Sequence, residues 1–207
     1  MLQIETITVG PFQSNCYILY NEQKQALVID PGADADRIIA TIEALDLTVV
    51  AYPTTHGHMD HVSALQAVHQ HFPAPIGLHP LDASWAFSPS NARPPYYDTP
   101  KAPSSIERDW EHGQTWTDGG MTYRILFSPG HSPGGVCFLF EEEEILVSGD
   151  TLFQGAIGRY DLPGSNPEDL MKSLVQLRDL EGNFTVLPGH GPTTTLDHER
   201  ATNPYLQ

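Results

Sequence analysis

Residues 2–9 alternate between apolar and polar positions. Residues 16–20 and 26–30 form apolar, β-branched runs separated by a polar turn at 21–25, and Pro31-Gly32 then breaks the chain. This pattern predicts an antiparallel opening. From Asp34, the positions Ile38, Ile39, Ile42 and Leu45 follow helical spacing after an acidic start, and 48–52 returns to strand character. The exchange recurs, with a helix around 61–71, a short strand at 76–78 and a helix around 80–87. Strands are expected at about 121–127, 136–140 and 145–149. An amphipathic helix should start at Pro167, with Leu170, Leu174 and Leu177 on one face, followed by a last strand at 185–187. Helices and strands alternate with many strand-to-strand turns, which argues for a layered α/β sandwich over a parallel doubly wound sheet.

The 207 residues fit one domain, 1–207. Residues 88–105 hold five prolines and little apolar periodicity. That stretch is too long for an ordinary connector and reads as a functional flap or a mobile insertion. Tyr96 and Tyr97, apolar bodies with polar tips, favour the flap. Net charge is −16 with only ten lysines and arginines, a field that repels polyanions, so no nucleic-acid partner is expected. The ordinary reading of such charge is solubility, although a pair of divalent cations would make a site locally positive. The start carries no basic, apolar or cleavage pattern, and no stretch approaches about 20 apolar residues. The expectation is a cytoplasmic protein with no membrane partner, as a monomer or small homo-oligomer. Cys16 and Cys137 lie in apolar strand-like surroundings and read as packed thiols.

The strongest chemical signal is Thr55-His56-Gly57-His58-Met59-Asp60-His61, directly after the strand at 48–52. The pattern HxHxDH should arise by chance on the order of once in a thousand such sequences. Residues two apart in extended chain project to one side, so His56 and His58 suit one cation while Asp60 and His61 turn toward another. The plain alternative is a polar helix cap. Three further candidates stand where strands end: His131 in Ser128-Pro129-Gly130-His131, Asp150 in Ser148-Gly149-Asp150, and His190 in Leu187-Pro188-Gly189-His190. Each alone reads as a turn residue, but four such groups at strand ends point jointly to metal, because loops at one edge of a sheet converge. His69, His71, His79, His112 and His198 lack this placement and read as surface or capping groups.

The set THGHMDH, SPGHSPG, SGD and PGH, in that order and spacing, resembles the metallo-β-lactamase superfamily. The segment Gly158-Arg159-Tyr160-Asp161-Leu162-Pro163-Gly164-Ser165 is similar to its small glyoxalase II-like (hydroxyacylglutathione hydrolase-like) branch. The similarity runs nearly end to end, from Ile29-Asp30-Pro31-Gly32 to Asn203-Pro204-Tyr205. It implies a four-layer αββα sandwich with two metal ions at one rim. His56, His58 and His131 would hold the first ion, Asp60, His61 and His190 the second, and Asp150 would bridge them. Two departures stand out. The chain ends soon after His190, without the helical region that helps full-length glyoxalase II hold glutathione, and Gly135 stands where many relatives carry histidine or serine.

The implied activity is hydrolysis of a thioester or related ester of hydroxyacylglutathione type by a metal-bridging hydroxide that Asp60 and Asp150 orient. The expected metal is zinc, with iron or manganese as alternatives. A thiolate, with a thiol pKa of about 8–9, leaves with little protonation. Asp30 is a candidate partner for an imidazole or a turn residue. Arg159, with Tyr160 beside it, is the candidate for an anionic substrate group, against the plainer reading of a salt bridge holding that loop. Two rivals stand beside this reading: a persulfide dioxygenase-like enzyme using one iron, and a metal-binding or interaction protein without turnover.

Overall fold

The computed structural model describes residues 2–207. The first sheet takes the order β1 (Gln3–Val9), β2 (Ser14–Tyr20), β3 (Gln25–Ile29), β4 (Thr48–Pro53) and β5 (Ile76–Gly77). Its first three strands are antiparallel and its last three parallel. The helices α1 (Ala35–Ala44), α2 (Met59–Val62), α3 (Leu65–His71) and α4 (Pro80–Ala86) intervene in the chain. The second half contributes β6 (Thr115–Asp118), β7 (Met121–Phe127), β8 (Val136–Phe140), β9 (Ile145–Gly149), the hairpin β10 (Leu152–Phe153) and β11 (Ala156–Ile157), α5 (Pro167–Arg178), β12 (Thr185–Pro188), β13 (Thr194–Thr195) and α6 (Leu196–Thr202). Its six-stranded sheet runs β13-β12-β9-β8-β7-β6, antiparallel except where β12 lies parallel to β9.

Three apolar layers make this a four-layer αββα sandwich. On β2, Cys16, Ile18 and Tyr20 face Ile38 and Ile42 of α1 and Leu65 and Val68 of α3, whereas Tyr17 and Leu19 face the other sheet. On β8, Val136, Phe138 and Phe140 fill the space between sheets, while Cys137 and Leu139 meet Leu170, Leu174 and Leu177 of α5. Both faces of these strands are therefore buried. That accounts for continuous apolar runs in place of alternation, with each buried leucine or isoleucine contributing roughly 1.5–3 kcal/mol. Both cysteines are free and buried, as their surroundings predict. No helix among the described residues is long and apolar enough to cross a membrane.

The expected helix at 61–71 is two helices. Oγ of Ser14 donates to the Asp60 carbonyl at 2.6 Å, and the Ala64 amide donates to the Pro31 carbonyl at 3.0 Å, so the helical ladder is interrupted where it meets the sheet. Gly32 permits that approach, since a Cβ there would lie 1.6 Å from the Asp60 oxygen. The short strands β6, β10, β11 and β13, and the helix α6, are additional to the elements read from the sequence. The 88–105 segment is not structureless. A 3-10 turn at Pro89–Asn91 leads into a closed turn in which the Arg93 and Tyr97 backbones exchange hydrogen bonds of 2.8 and 3.0 Å.

Candidate metal centre

The loops after β4, β7, β9 and β12 meet at one rim, where the two sheets are stitched together. The Asn15 amide donates to the Gly189 carbonyl at 2.7 Å, the Tyr17 hydroxyl to the Pro188 carbonyl at 2.7 Å, and the Val136 amide to the Thr55 carbonyl at 2.9 Å. These bonds hold a strand end of one sheet against a loop of the other, and they set the distances between the polar side chains that follow.

Two clusters form. Donor atoms of His56, His58 and His131 lie within 4.8 Å of one another, and so do those of Asp60, His61 and His190. In the first, Nδ1 of His58 is 2.9 Å from Nε2 of His131. In the second, Nε2 of His190 is 3.3 Å from Oδ2 of Asp60 and 3.4 Å from Nε2 of His61. Asp150 spans both, with Oδ2 3.3 Å from His131 and 3.5 Å from His190, and Oδ1 3.5 Å from His61. All seven side chains singled out from the sequence are thus gathered at one place.

The far nitrogens of four imidazoles are engaged elsewhere. Nδ1 of His61 donates to Asp30 at 3.0 Å, Nδ1 of His131 to the Arg159 carbonyl at 2.8 Å, and Nδ1 of His190 to the Phe12 carbonyl at 3.1 Å. Nδ1 of His56 meets Oγ1 of Thr55 at 3.0 Å, which itself donates to Asp30 at 2.5 Å. Once neutral, as a metal-bound imidazole is, each of these rings directs its Nε2 lone pair at the centre, the orientation that partners of metal-bound histidines impose. Nε2 of His56 and Oδ1 of Asp150 are buried without a hydrogen-bond partner. Buried donor atoms that face one another as lone pairs are costly unless a cation lies among them. The residues present thus fit divalent cations, by nitrogen and carboxylate donors suited to zinc, iron or manganese.

Electrostatics agree. Burial pushes His56 well below the ordinary histidine value, with His61 beside it, and pushes His58 down to about 3, with His131 adding to the effect. Burial opposes ionisation of Asp60 and Asp150, yet the neighbouring imidazoles, His61 foremost, hold both below the usual carboxylate range. Burial would likewise lower His61 and His190. Asp150 and Asp60 outweigh it, raising His61 to about 9 and His190 to about 11.

Asp30 proves to be both things expected of it. Its backbone sits in the left-handed region at φ 51°, and its carboxylate receives the Thr55 amide, the Thr55 hydroxyl and His61. Arg159 reaches the cavity wall, but its guanidinium is paired with Asp161 at 2.7 Å and its side chain is 62% exposed. The contact from this residue that touches the centre is its carbonyl, on His131. Tyr160 is 47% exposed and lies outside the cavity lining. His79 caps α4 through the Leu81 amide, and His71 pairs with Glu43 on the surface.

Two residues not foreseen position the histidine-rich loop. Asp82, fully buried, accepts the Gly57 amide at 2.8 Å, the Ser132 hydroxyl at 2.7 Å and the Gly134 amide at 2.6 Å, tying that loop to the one bearing His131. Asn91 donates to the Gly57 carbonyl at 2.8 Å and accepts the Met59 amide at 3.2 Å. The only local signal for Asp82 was an acid in the first turn of a helix, which the helix dipole accounts for by itself.

A cavity of about 260 Å³ opens onto the centre, walled by Phe12, Met59 and Leu162 along with five of the donor residues (His58, Asp60, His131, Asp150 and His190) and two arginines. Residues 9–190 match the domain family described as the metallo-beta-lactamase superfamily. Among curated relatives, the hydroxyacylglutathione hydrolase GloC of Haemophilus influenzae is 35% identical, covering 99% of this chain and 98% of its own. The probable metallo-hydrolase YqgX of Bacillus subtilis is 37% identical, covering 96% and 94%. Among solved structures, the BLEG-1 B3 metallo-beta-lactamase superposes with a TM-score of 0.92 at 36% identity, over 99% of this chain and 100% of that one. TTHA1623, in a di-iron-bound form, gives 0.88 at 38% identity, over 98% and 100%.

Proposed function

The chain belongs to the metallo-beta-lactamase superfamily of metal-dependent hydrolases, and from that premise we propose that it cleaves thioesters of hydroxyacylglutathione type at a centre of two cations. The observation that carries the two-ion reading is Asp150, whose Oδ2 lies 3.3 Å from His131 of one group and 3.5 Å from His190 of the other, while Oδ1, on the His61 side, has no hydrogen-bond partner. His56, His58 and His131 would hold one ion, Asp60, His61 and His190 the other, with Asp150 between them. Bound there, divalent cations supply a Lewis acid for a carbonyl oxygen and make water acidic enough to ionise near neutral pH.

The chain's own groups do the rest. Asp60 and Asp150, held ionised by the imidazoles, are the carboxylates that accept a water's hydrogen and fix its orientation. Asp30, Thr55 and the Phe12 and Arg159 carbonyls keep the imidazoles from turning. Beyond the donor set the cavity wall consists of Phe12, Met59, Leu162, Arg93 and Arg159, none of them a usable proton donor to a leaving group. A group that departs unprotonated is favoured. A thiolate, with a thiol pKa of about 8–9, does so where an alkoxide does not. The GloC relative supports the same substrate class. A single-iron oxygenase leaves the second cluster without a use.

The likeness to the BLEG-1 enzyme favours a second reading, opening of a β-lactam ring. Both readings are tested by turnover of protein loaded separately with zinc, iron and manganese, its metal content measured, on S-lactoylglutathione, simple thioesters, esters, lactones and a chromogenic cephalosporin. Metal-dependent thioester cleavage exceeding cephalosporin cleavage is the expected result. Cephalosporin cleavage alone, or no rate above the metal-free protein, overturns the proposal.

A further inference from the structure

The cleft does not end at the metal centre. Past His58 it continues into a second cavity of about 340 Å³, whose walls include Trp85, Pro133 and Pro163, and the two cavities share two residues, His58 and Arg93. Arg93 therefore stands at the junction between the place where a carbonyl would sit and a largely apolar chamber beyond it. The side chain is half-buried, and its backbone is held in the closed turn with Tyr97.

The guanidinium is underused. Its Nη1 donates to the carbonyls of Ala92 at 2.8 Å and Ser90 at 3.3 Å. Among the described residues no carboxylate lies within ion-pair distance of it, although six other basic side chains (Arg108, Arg124, Arg159, Lys172, Arg178 and Arg200) have found acidic partners. In a chain of net charge −16, acids are abundant. This cation lines the cleft from a turn closed by two backbone hydrogen bonds, beside apolar walls, and neither Nε nor Nη2 has a partner among the described residues. The planar fork suits a carboxylate, and the apolar surroundings strengthen the attraction relative to water.

We propose that Arg93 is the anion-binding residue of this cleft, receiving a carboxylate carried by the thiol portion of the substrate while that portion occupies the chamber walled by Trp85, Pro133 and Pro163. The inference rests on the thioester reading above and assigns the side chain that would hold the carboxylate of the departing thiol. It moves the anion-binding role from Arg159, which is committed to Asp161, to Arg93.

The test compares S-acetyl mercaptoalkanoates over a graded series of spacer lengths with their uncharged methylamides, on zinc-loaded wild-type, Arg93→Gln and Arg93→Lys proteins. The same charged and uncharged pairs are prepared as non-hydrolysable thioethers for calorimetric binding. The wild type should favour at least one charged member over its amide by about 10–100-fold in kcat/KM and in affinity. Arg93→Gln should erase that preference, with the charged members losing far more than the amides, and Arg93→Lys should keep part of it. No preference in the wild type, a preference that survives Arg93→Gln, or an equal loss for charged and neutral compounds overturns the proposal, the last because it marks Arg93 as a prop for the 3-10 turn only. If no thioester is turned over, the thioester reading fails, and thioether binding still decides the role of Arg93.

Discussion

Replacing Gly189 by alanine would put a methyl group 2.1 Å from Oδ1 of Asp150 and 2.9 Å from Cε1 of His61. Ordinary contact begins near 3.4 Å, so the carboxylate would have to retreat by more than about 1 Å, since nothing relieves an overlap that deep at the bottom of a packed rim. Gly189 cannot yield, because its carbonyl receives the Asn15 amide and its own amide donates to the Gly149 carbonyl, both stitches between strand ends. Overpacking of this kind costs about 1–3 kcal/mol, less than the roughly 5–15 kcal/mol stability of a domain, so the protein should still fold. Function should suffer far more. Displacing a positioned group by about 1 Å costs on the order of 100-fold in rate, and Asp150 faces both clusters. Gly189→Ala, checked for fold by circular dichroism, should therefore show less metal per chain than wild type after gel filtration and a kcat lower by about 100-fold. A variant with the wild-type metal complement and rate would refute the placement of Asp150 between two ions.

Asp82→Ala leaves three buried donors without an acceptor and should lower stability by about 3 kcal/mol in denaturant titration, with metal affinity reduced about 10–100-fold; a change within experimental error in both would show that this carboxylate does not position the loops. Metal uptake by the chelated protein should release protons at pH 7. His61, raised to about 9, and His190, raised to about 11, are protonated there without metal, whereas metal-bound imidazoles are neutral. The release should shrink as pH rises through about 9, where His61 has already lost its proton, and calorimetry in buffers of differing ionisation enthalpy reads it directly; uptake without proton release at pH 7 would contradict the assignment of those two side chains. Burial pushes both thiols up, Cys137 to about 11 and Cys16 further, so neither should react with a thiol-specific disulfide reagent at pH 8 until denaturant is added; rapid labelling of the folded protein would show that these strands open.

What the chain reveals before folding follows the reach of each interaction. The donor residues are legible because four of the seven lie within one six-residue stretch and the rest stand at strand ends, where β4, β7, β9 and β12 deliver them to one rim. The three apolar layers are legible because strands buried on both faces, such as β2 and β8, leave unbroken apolar runs. Asp82 is not, because its partners are backbone amides and a serine hydroxyl far along the chain. The edge strands β6 and β13 are short and partly exposed, so they carry no pattern of their own. The contrast between two arginines is instructive. Arg159 drew attention by standing after the Asp150 loop, yet an acid two residues on takes its charge, whereas Arg93 lay hidden in a proline-rich stretch whose turn only coordinates reveal.

The account turns on two ions sharing Asp150, and anomalous diffraction from crystals of the zinc-loaded protein, recorded on both sides of the zinc edge, measures that most directly. Two peaks should appear, one among His56, His58 and His131 and one among Asp60, His61 and His190, with Asp150 in contact with both. A single peak, or zinc bound away from these side chains, would contradict it.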